Sequence, residues 1–229
     1  LAKELGATKQ EVHRNLVRLE ASGLITKEKD GKYSLTTFGK TMCVEIPSIL
    51  FLSQHNEYFQ DHDFGSIPLK FVMRAGQLAT GSHIKGITKT LQKWKSVYSN
   101  ANEYICEILS EIPEDLFDPI LKKIKNGVKF EYIVSESAIV PEGRLTRLKK
   151  SGFYELIENG SIERKMQKSV QTVLVLNEKE ACIFFPKNGE ADLTEMFYSE
   201  HDVFHEWCLD YFRYCWYNSG SFQENKLKE

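Results

Sequence analysis

The sequence predicts an α+β protein of two unequal parts, a small helix-and-hairpin head and a larger α/β body built on a mixed sheet. The chain has 229 residues, more than the ~150 expected of one domain. Residues 1–41 have helical periodicity followed by one hairpin signal, whereas strand and helix patterns alternate from residue 67 onward. These observations predict a head at 1–41, a connecting helix and linker at 42–65, a body at 66–219 and a polar tail at 220–229.

The composition is typical of a folded protein without membrane spans, since 41% of the residues are hydrophobic and 27% are charged. The longest apolar stretch, residues 46–52, is interrupted and far shorter than the ~20 residues of a membrane-spanning helix. The five cysteines are scattered and form no Cys-x-x-Cys pair, which argues against disulfides and a zinc ribbon. We therefore expect a cytoplasmic protein with no membrane partner, no cofactor and no metal site.

Charge is distributed unevenly along the chain, whose formal net charge is only -2. Residues 1–41 contain eight basic and five acidic side chains, and the remainder is net acidic. A small basic part joined to an acidic one is typical of a polyanion-binding head, although an imbalance of this size also arises from ordinary surface charge.

The head begins with residues 1–5, which have the pattern of a short helix, and we expect an earlier helix to lie outside the given sequence. Thr8 and Glu11 have the spacing of a capping box, so a second helix is expected over residues 8–22. Its apolar stripe consists of Val12, Leu16 and Leu19. Two extended runs, 25–29 and 32–36, flank Asp-Gly and predict a hairpin.

Helix, turn, helix and a basic-tipped hairpin is the order of a winged helix-turn-helix. The run LAKELGATKQEVHRNLVRLEASGLI, followed by a hairpin and YSLTTFG, resembles the head of archaeal and bacterial regulators of the arsenic-repressor type. That resemblance implies a recognition helix at 8–22 and a wing at 29–32, bound to double-stranded DNA. The candidate DNA-binding residues are Thr8, Lys9, Gln10, His13, Arg14, Arg18, Lys27, Lys29 and Lys32. Alternatively, His13 is only a solvent-facing residue and Arg18 pairs with Glu11 or Glu20.

The connecting segment has helical character over residues 41–59, with a break expected at Pro47. This helix either pairs with its copy in a homodimer, which would space two heads for a palindromic site, or packs on its own body.

The body is predicted to contain helices at 69–78, 84–100 and 113–125, and a final aromatic helix at 202–218. Strands are expected at 103–109, 128–134 and 161–166, with the first two parallel, and at 172–176 and 181–185 as an antiparallel hairpin. In the final helix, one face is expected to be buried, and its residues are Phe204, Trp207, Cys208, Tyr211 and Cys215.

GVKFEYIV at 127–134 and DVFHEWCLDYFRYCW at 202–216 make the body resemble the sensor region of archaeal winged-helix regulators of the methanogenesis-regulator kind. Such regions are similar in topology to a phospholipase-D-like half-domain, as in TrmB-type sugar regulators, and imply sensing of a small molecule without turnover. A ligand is expected near the carboxyl ends of the strands. The candidate ligand-binding residues are Ser135, Glu136 and Ser137, joined by Arg144 and Arg147 if the ligand is anionic.

Catalytic residues are not expected. The phospholipase D pattern requires His-x-Lys and, after four residues, Asp; His83 and Lys85 match, but Thr90 replaces the Asp. His201 and His205 lack a third metal ligand, and the histidines and aspartates of residues 55–63 have the pattern of a polar loop. We thus expect a DNA-binding transcription regulator that is not an enzyme; the alternatives are an adaptor whose winged helix binds protein and a degenerate phosphodiesterase-like enzyme.

Overall fold

The computed structural model describes residues 2–111, 114–138 and 140–227. The first part contains α1 (Lys9–Ala21), β1 (Ile25–Lys27), β2 (Tyr33–Leu35) and α2 (Thr37–Gln54). The body contains α3 (Leu69–Val72), β3 (Ser82–Lys85), α4 (Ile87–Asn100), β4 (Tyr104–Leu109), α5 (Glu114–Lys125), β5 (Lys129–Ser135), α6 (Arg144–Ser151), α7 (Phe153–Glu158), β6 (Ile162–Gln167), β7 (Val173–Asn177), β8 (Ala181–Phe184), β9 (Glu195–Ser199), α8 (Asp202–Tyr217) and β10 (Gly220–Ser221). Three short 3-10 helices are Tyr58–Gln60, Ala75–Thr80 and Glu224–Lys226. The predicted α+β class with a large mixed sheet is confirmed.

The head helix and hairpin form as their local sequence predicts. The Thr8 hydroxyl accepts from the Glu11 amide, and the Glu11 carboxylate accepts from the Thr8 amide, so the predicted capping box is present. The hairpin pairs Ile25 with Leu35 and turns at Gly31, whose φ of 83° is readily adopted by glycine. The short helix predicted at residues 1–5 is not observed, since residues 2–6 form a turn; residue 1 lies outside the described residues.

The connecting helix differs from its prediction because α2 runs without interruption through Pro47. Contacts with the body stabilise the helix next to Pro47. The Ser48 hydroxyl donates to the carbonyl of Met73 at 2.8 Å and accepts from the Gly76 amide at 3.0 Å. Gly76 permits this approach, since an added Cβ would lie 2.5 Å from Cβ of Pro47. Helix α2 is therefore packed against the body along its middle.

An eight-stranded sheet forms the centre of the body, in the order β10-β6-β5-β4-β7-β8-β9-β3. The β4–β5 and β5–β6 pairs are parallel and the others are antiparallel, which confirms the predicted crossover and the β7–β8 hairpin. Glu107 of β4 contacts α4, whereas the adjacent Cys106 and its neighbour Glu131 face Arg213 of α8. Because neighbouring residues of a strand point to opposite faces, α4 and α8 cover opposite faces of the sheet.

Several predictions for the body are wrong because long-range pairing overrides local periodicity. Residues 69–78 form only the short α3 and then a 3-10 helix. The helix expected from residue 84 starts at Ile87, because Ser82–Lys85 pairs as an edge strand with β9 and Gly86 then adopts a φ of 100°. Strand β9 and helices α6 and α7 were not predicted.

The carboxyl-terminal residues are part of the sheet assembly. Gly220 and Ser221 pair with β6, and Glu224 binds both Arg144 and Arg164. The predicted domain boundaries, including a separate tail from residue 220, stay predictions. The buried face of α8 is confirmed, since its five predicted residues are at most 5% exposed.

Candidate nucleic-acid interface and ligand cavity

Helix α1 presents its basic face to solvent. Among the described residues, Arg14 and Arg18 form no ion pair, so the predicted alternative of Arg18 bound to Glu11 or Glu20 is not observed. The candidate residues Lys9, Gln10 and His13 are exposed on the same helix. Thr8 differs from these residues because its hydroxyl is engaged in the capping box. Hydrogen bonds from the Thr8 amide and hydroxyl lower the pKa of Glu11.

The hairpin carries its three lysines in different environments. Lys27 lies 5.9 Å from the centre of the Tyr33 ring, and Lys32 pairs with Asp30 at 2.8 Å, which partly neutralises the tip. Among the described residues, Lys29 has no ion-pair partner. The described residues thus include an exposed cationic helix and, at the tip of the hairpin that follows it, a lysine without an ion pair.

Apolar side chains are also exposed on α1 and α2. No residue of α1 is buried, and Leu19, predicted to lie on its buried stripe, is 39% exposed. On α2, Val44 and Ile49 are 70% and 63% exposed, whereas Phe51 is fully buried against the body.

A cavity of about 110 Å³ lies on the α4 face of the sheet. Its floor is formed by β4 and β5, and its walls by α4, α5, α6 and α7. Its polar and charged lining side chains are Tyr98, Glu107, Glu114, Tyr132, Glu142, Arg144 and Arg147, and its aromatic ones include Phe117 and Phe130. Most of the remaining lining residues are apolar. The buried polar side chains of the lining are Glu107, Tyr98, Tyr132 and Arg144.

Glu107 is 1% exposed and is held by two neutral donors of α4. Its Oε1 accepts a hydrogen bond from Nε1 of Trp94 at 2.8 Å and another from the hydroxyl of Tyr98. Burial raises the pKa of Glu107 to about 7, against the smaller opposing effect of these two hydrogen bonds. Burial, and then the neighbouring Glu107, also raise the pKa of Tyr98.

The five predicted ligand-binding residues do not form one site. Arg144 and Arg147 line the cavity, whereas Ser135, Glu136 and Ser137 lie outside its lining. The Ser135 and Ser137 hydroxyls bond each other at 2.8 Å, and Glu136 pairs with Lys226 at 2.6 Å. Sequence reasoning missed Glu107; an acidic residue within an otherwise apolar strand pattern was the available signal.

Other histidine and acidic groups considered in the sequence have separate structural partners. His201 caps α8 through the Val203 amide, and His205 bonds the carbonyl of Asn177. His62, expected in a polar loop, is buried; its Nε2 lies 2.9 Å from Asp192. In the described part of the chain, no three metal-ligating side chains are grouped as a metal site. No described helix combines the length and apolar character needed to cross a membrane.

Solved structures share the fold at low sequence identity. TrmBL2, described as an archaeal chromatin protein with a novel mode of DNA binding, is 14% identical; the match covers 95% of this chain and 84% of that one, with a TM-score of 0.50. Nuc of Salmonella typhimurium, a phospholipase D family member, is 13% identical over 63% and 99% of the two chains, with a TM-score of 0.46. Phosphatidylserine synthase of Haemophilus influenzae Rd KW20 is 13% identical over 65% and 41%, also at 0.46. No protein-family model and no curated protein matches the chain.

The prediction that the chain is not an enzyme does not stand, because the solved structures of similar fold include enzymes; at 13% identity this similarity concerns the fold alone and assigns no activity. That prediction relied on spacing along the chain, which cannot show groups brought together from separate strands. In the fold, His83 Nε2 and Lys85 Nζ of β3 lie 2.8 and 3.5 Å from Oε2 of Glu195 on β9. Thr90, at the position of the missing Asp, is buried, and its hydroxyl bonds the carbonyl of Leu193.

Proposed function

We propose that the chain is a DNA-binding, regulator-like protein that contacts duplex DNA with α1 and the β1–β2 hairpin. The observation that carries this proposal is the solvent exposure of an unpaired cationic face on α1. A helix of this kind fits the major groove, and lysines on a hairpin can neutralise phosphates beside it. The similarity of fold to TrmBL2, whose description includes DNA binding, also supports it.

The finer assignment is that α1 is the recognition helix of a winged helix-turn-helix and the hairpin is its wing. Arg14 and Arg18 would reach bases or phosphates, and Lys29 would contact the backbone. Lys32 would contribute less charge because Asp30 pairs with it. Thr8 would act mainly by fixing the start of α1.

Binding of the full chain to duplex DNA over a salt series tests the proposal. Counterion release should make affinity fall steeply as salt rises, and Lys29→Ala should reduce the salt slope by about one unit. Arg14→Ala should weaken binding about tenfold or more. Lys125→Ala and Lys149→Ala are the matched controls, since both remove exposed lysines of the body and should change affinity little. The proposal fails if the Arg14→Ala, Lys29→Ala double variant keeps its affinity at low salt; binding to a protein partner would then be favoured.

We also propose that two chains pair through α2, which would set the spacing of two heads. Met42, Ile46 and Ile49 recur at intervals of four and three residues, as in a two-helix contact, and lie away from buried Phe51. Ile49→Glu should give a monomer in sedimentation analysis, whereas Leu69→Glu, a change at an equally exposed leucine of the body, should not. A monomeric wild-type chain at micromolar concentration would refute pairing.

The body is proposed to sense a small molecule. Its lined cavity supports this role, and a ligand could shift the placement of the heads only by binding two states unequally.

A further inference from the structure

We propose that the cavity bounded by β4, β5 and α4–α7 binds a small organic cation, a primary ammonium on a short aliphatic chain. Glu107 would receive the ammonium group, and the apolar walls would cover the remainder of the molecule. This inference rests on the sensing role proposed for the body, and it does not depend on DNA binding by the head.

The first argument is that Glu107 has no cationic partner in the described part of the chain. Its two hydrogen-bond donors, the Trp94 indole and the Tyr98 hydroxyl, are neutral and both reach Oε1. Among the described residues, none donates a hydrogen bond to Oε2. A buried carboxylate is costly without a counter-charge, so a ligand that supplies an ammonium group would satisfy an acceptor that the fold leaves open.

The second argument is that both cavity arginines already have carboxylate partners. Arg144 is 8% exposed in its side chain and binds Glu224 of the carboxyl-terminal 3-10 helix. Arg147 binds Glu114 at 3.2 Å and Asp118 at 2.9 Å. Glu224 also binds Arg164. Among the described residues, the charged side chains of the lining that have no ion pair are the acids Glu107 and Glu142, so the sequence-based expectation of an anionic ligand held by the two cavity arginines loses its support.

The entrance and walls favour the same chemistry. Exposed Glu142 lines the outer part of the cavity, has no ion pair among the described residues and would attract a cation. The walls include the rings of Phe130 and Tyr132, and aromatic faces favour cations. The guanidinium of Arg147 already lies over the third ring, that of Phe117, at 4.6 Å from its centre.

The volume limits the size of the ligand. At about 110 Å³ the cavity is larger than the space of a single water and smaller than the ~150 Å³ cavity that accepts benzene. A polyamine or nucleotide would not fit within it, whereas a four-carbon amine would.

Three probes of equal chain length and different charge test the proposal: n-butylamine, n-butanol and butyrate, each titrated into the full chain at pH 8. The Trp94 indole N–H signal in a nitrogen-edited NMR spectrum reports directly on the Glu107 site. Butylamine should bind about 10- to 100-fold more tightly than butanol, because a charged hydrogen bond is added. Butyrate should bind most weakly.

Glu107→Gln should remove the preference for butylamine over butanol while leaving butanol affinity within about threefold. Glu131→Gln is the matched control, since Glu131 is a partly buried acid of β5 outside the cavity, and it should keep the preference. The proposal is overturned if butyrate binds better than butylamine, if no probe shifts the Trp94 signal, or if Glu107→Gln keeps the preference.

A measurement on the wild-type chain covers the case in which Glu107→Gln does not fold. Since ionised Glu107 is required, butylamine affinity should fall up to tenfold per pH unit below about 7, whereas butanol affinity should not. A butylamine affinity independent of pH from 5 to 8 would overturn the proposal. None of these measurements uses DNA, so failure of the head to bind DNA and failure of this site are distinguished.

Discussion

Replacing Glu107 with Gln should raise the free energy of unfolding of the chain, relative to wild type, more at pH 8 than at pH 5. Glutamate in an unfolded chain titrates near 4.5, and burial raises the pKa of Glu107 to about 7 in the fold. Between these values the folded state holds a proton that the unfolded chain has released. Stability is therefore highest below about pH 4.5, falls as pH rises to about 7 and is constant above that, at a total cost of about 3 kcal/mol. Glutamine does not ionise and avoids this cost.

Urea unfolding of wild type and variant at pH 5 and pH 8, followed by tryptophan fluorescence, measures the effect. The stability difference between the two proteins should shift by about 2–3 kcal/mol in favour of the variant from pH 5 to pH 8, slightly less than the total because the unfolded chain is already largely ionised at pH 5. Contributions from other titrating groups cancel because both proteins contain them. Glu103→Gln, an exposed change just before the same strand, should show no such shift. If the difference for Glu107→Gln is the same at both pH values, Glu107 titrates alike in the folded and unfolded states and the reasoning fails.

Three further changes test other parts of the structure. Gly76→Ala should lower the free energy of unfolding by about 1–3 kcal/mol, since its Cβ would lie 2.5 Å from a carbon of α2; Gly220→Ala, with a nearest contact of 3.9 Å, should change urea unfolding little. Thr8→Ala should weaken α1 by about 1 kcal/mol through loss of its cap, and amide exchange as slow as in wild type would contradict this. Glu224→Gln should remove the carboxylate partner of Arg144 and so increase the affinity for butyrate in an NMR titration; unchanged affinity would show that this ion pair does not determine which ligand charge the cavity prefers.

The local signals in the sequence predicted those elements that depend on neighbouring residues. The capping box of α1, the turn at Gly31 and the apolar face of α8 all formed, because each rests on contacts within a few positions of the chain. Local signals failed at Ser82–Lys85, where pairing with β9 decides that the segment is a strand.

By itself, the sequence determined a basic helix-and-hairpin head, an α/β body and the identity of the cationic side chains, because propensity, capping and charge are properties of the chain. Only the tertiary structure decided which charges remain unpaired. Arg144 pairs with Glu224, eighty positions away in the chain, whereas Glu107 receives hydrogen bonds from two neutral donors of α4 and from no cation among the described residues. Burial and long-range ion pairing decide which charged side chains of a cavity are left without a partner, and neither can be read from residue spacing.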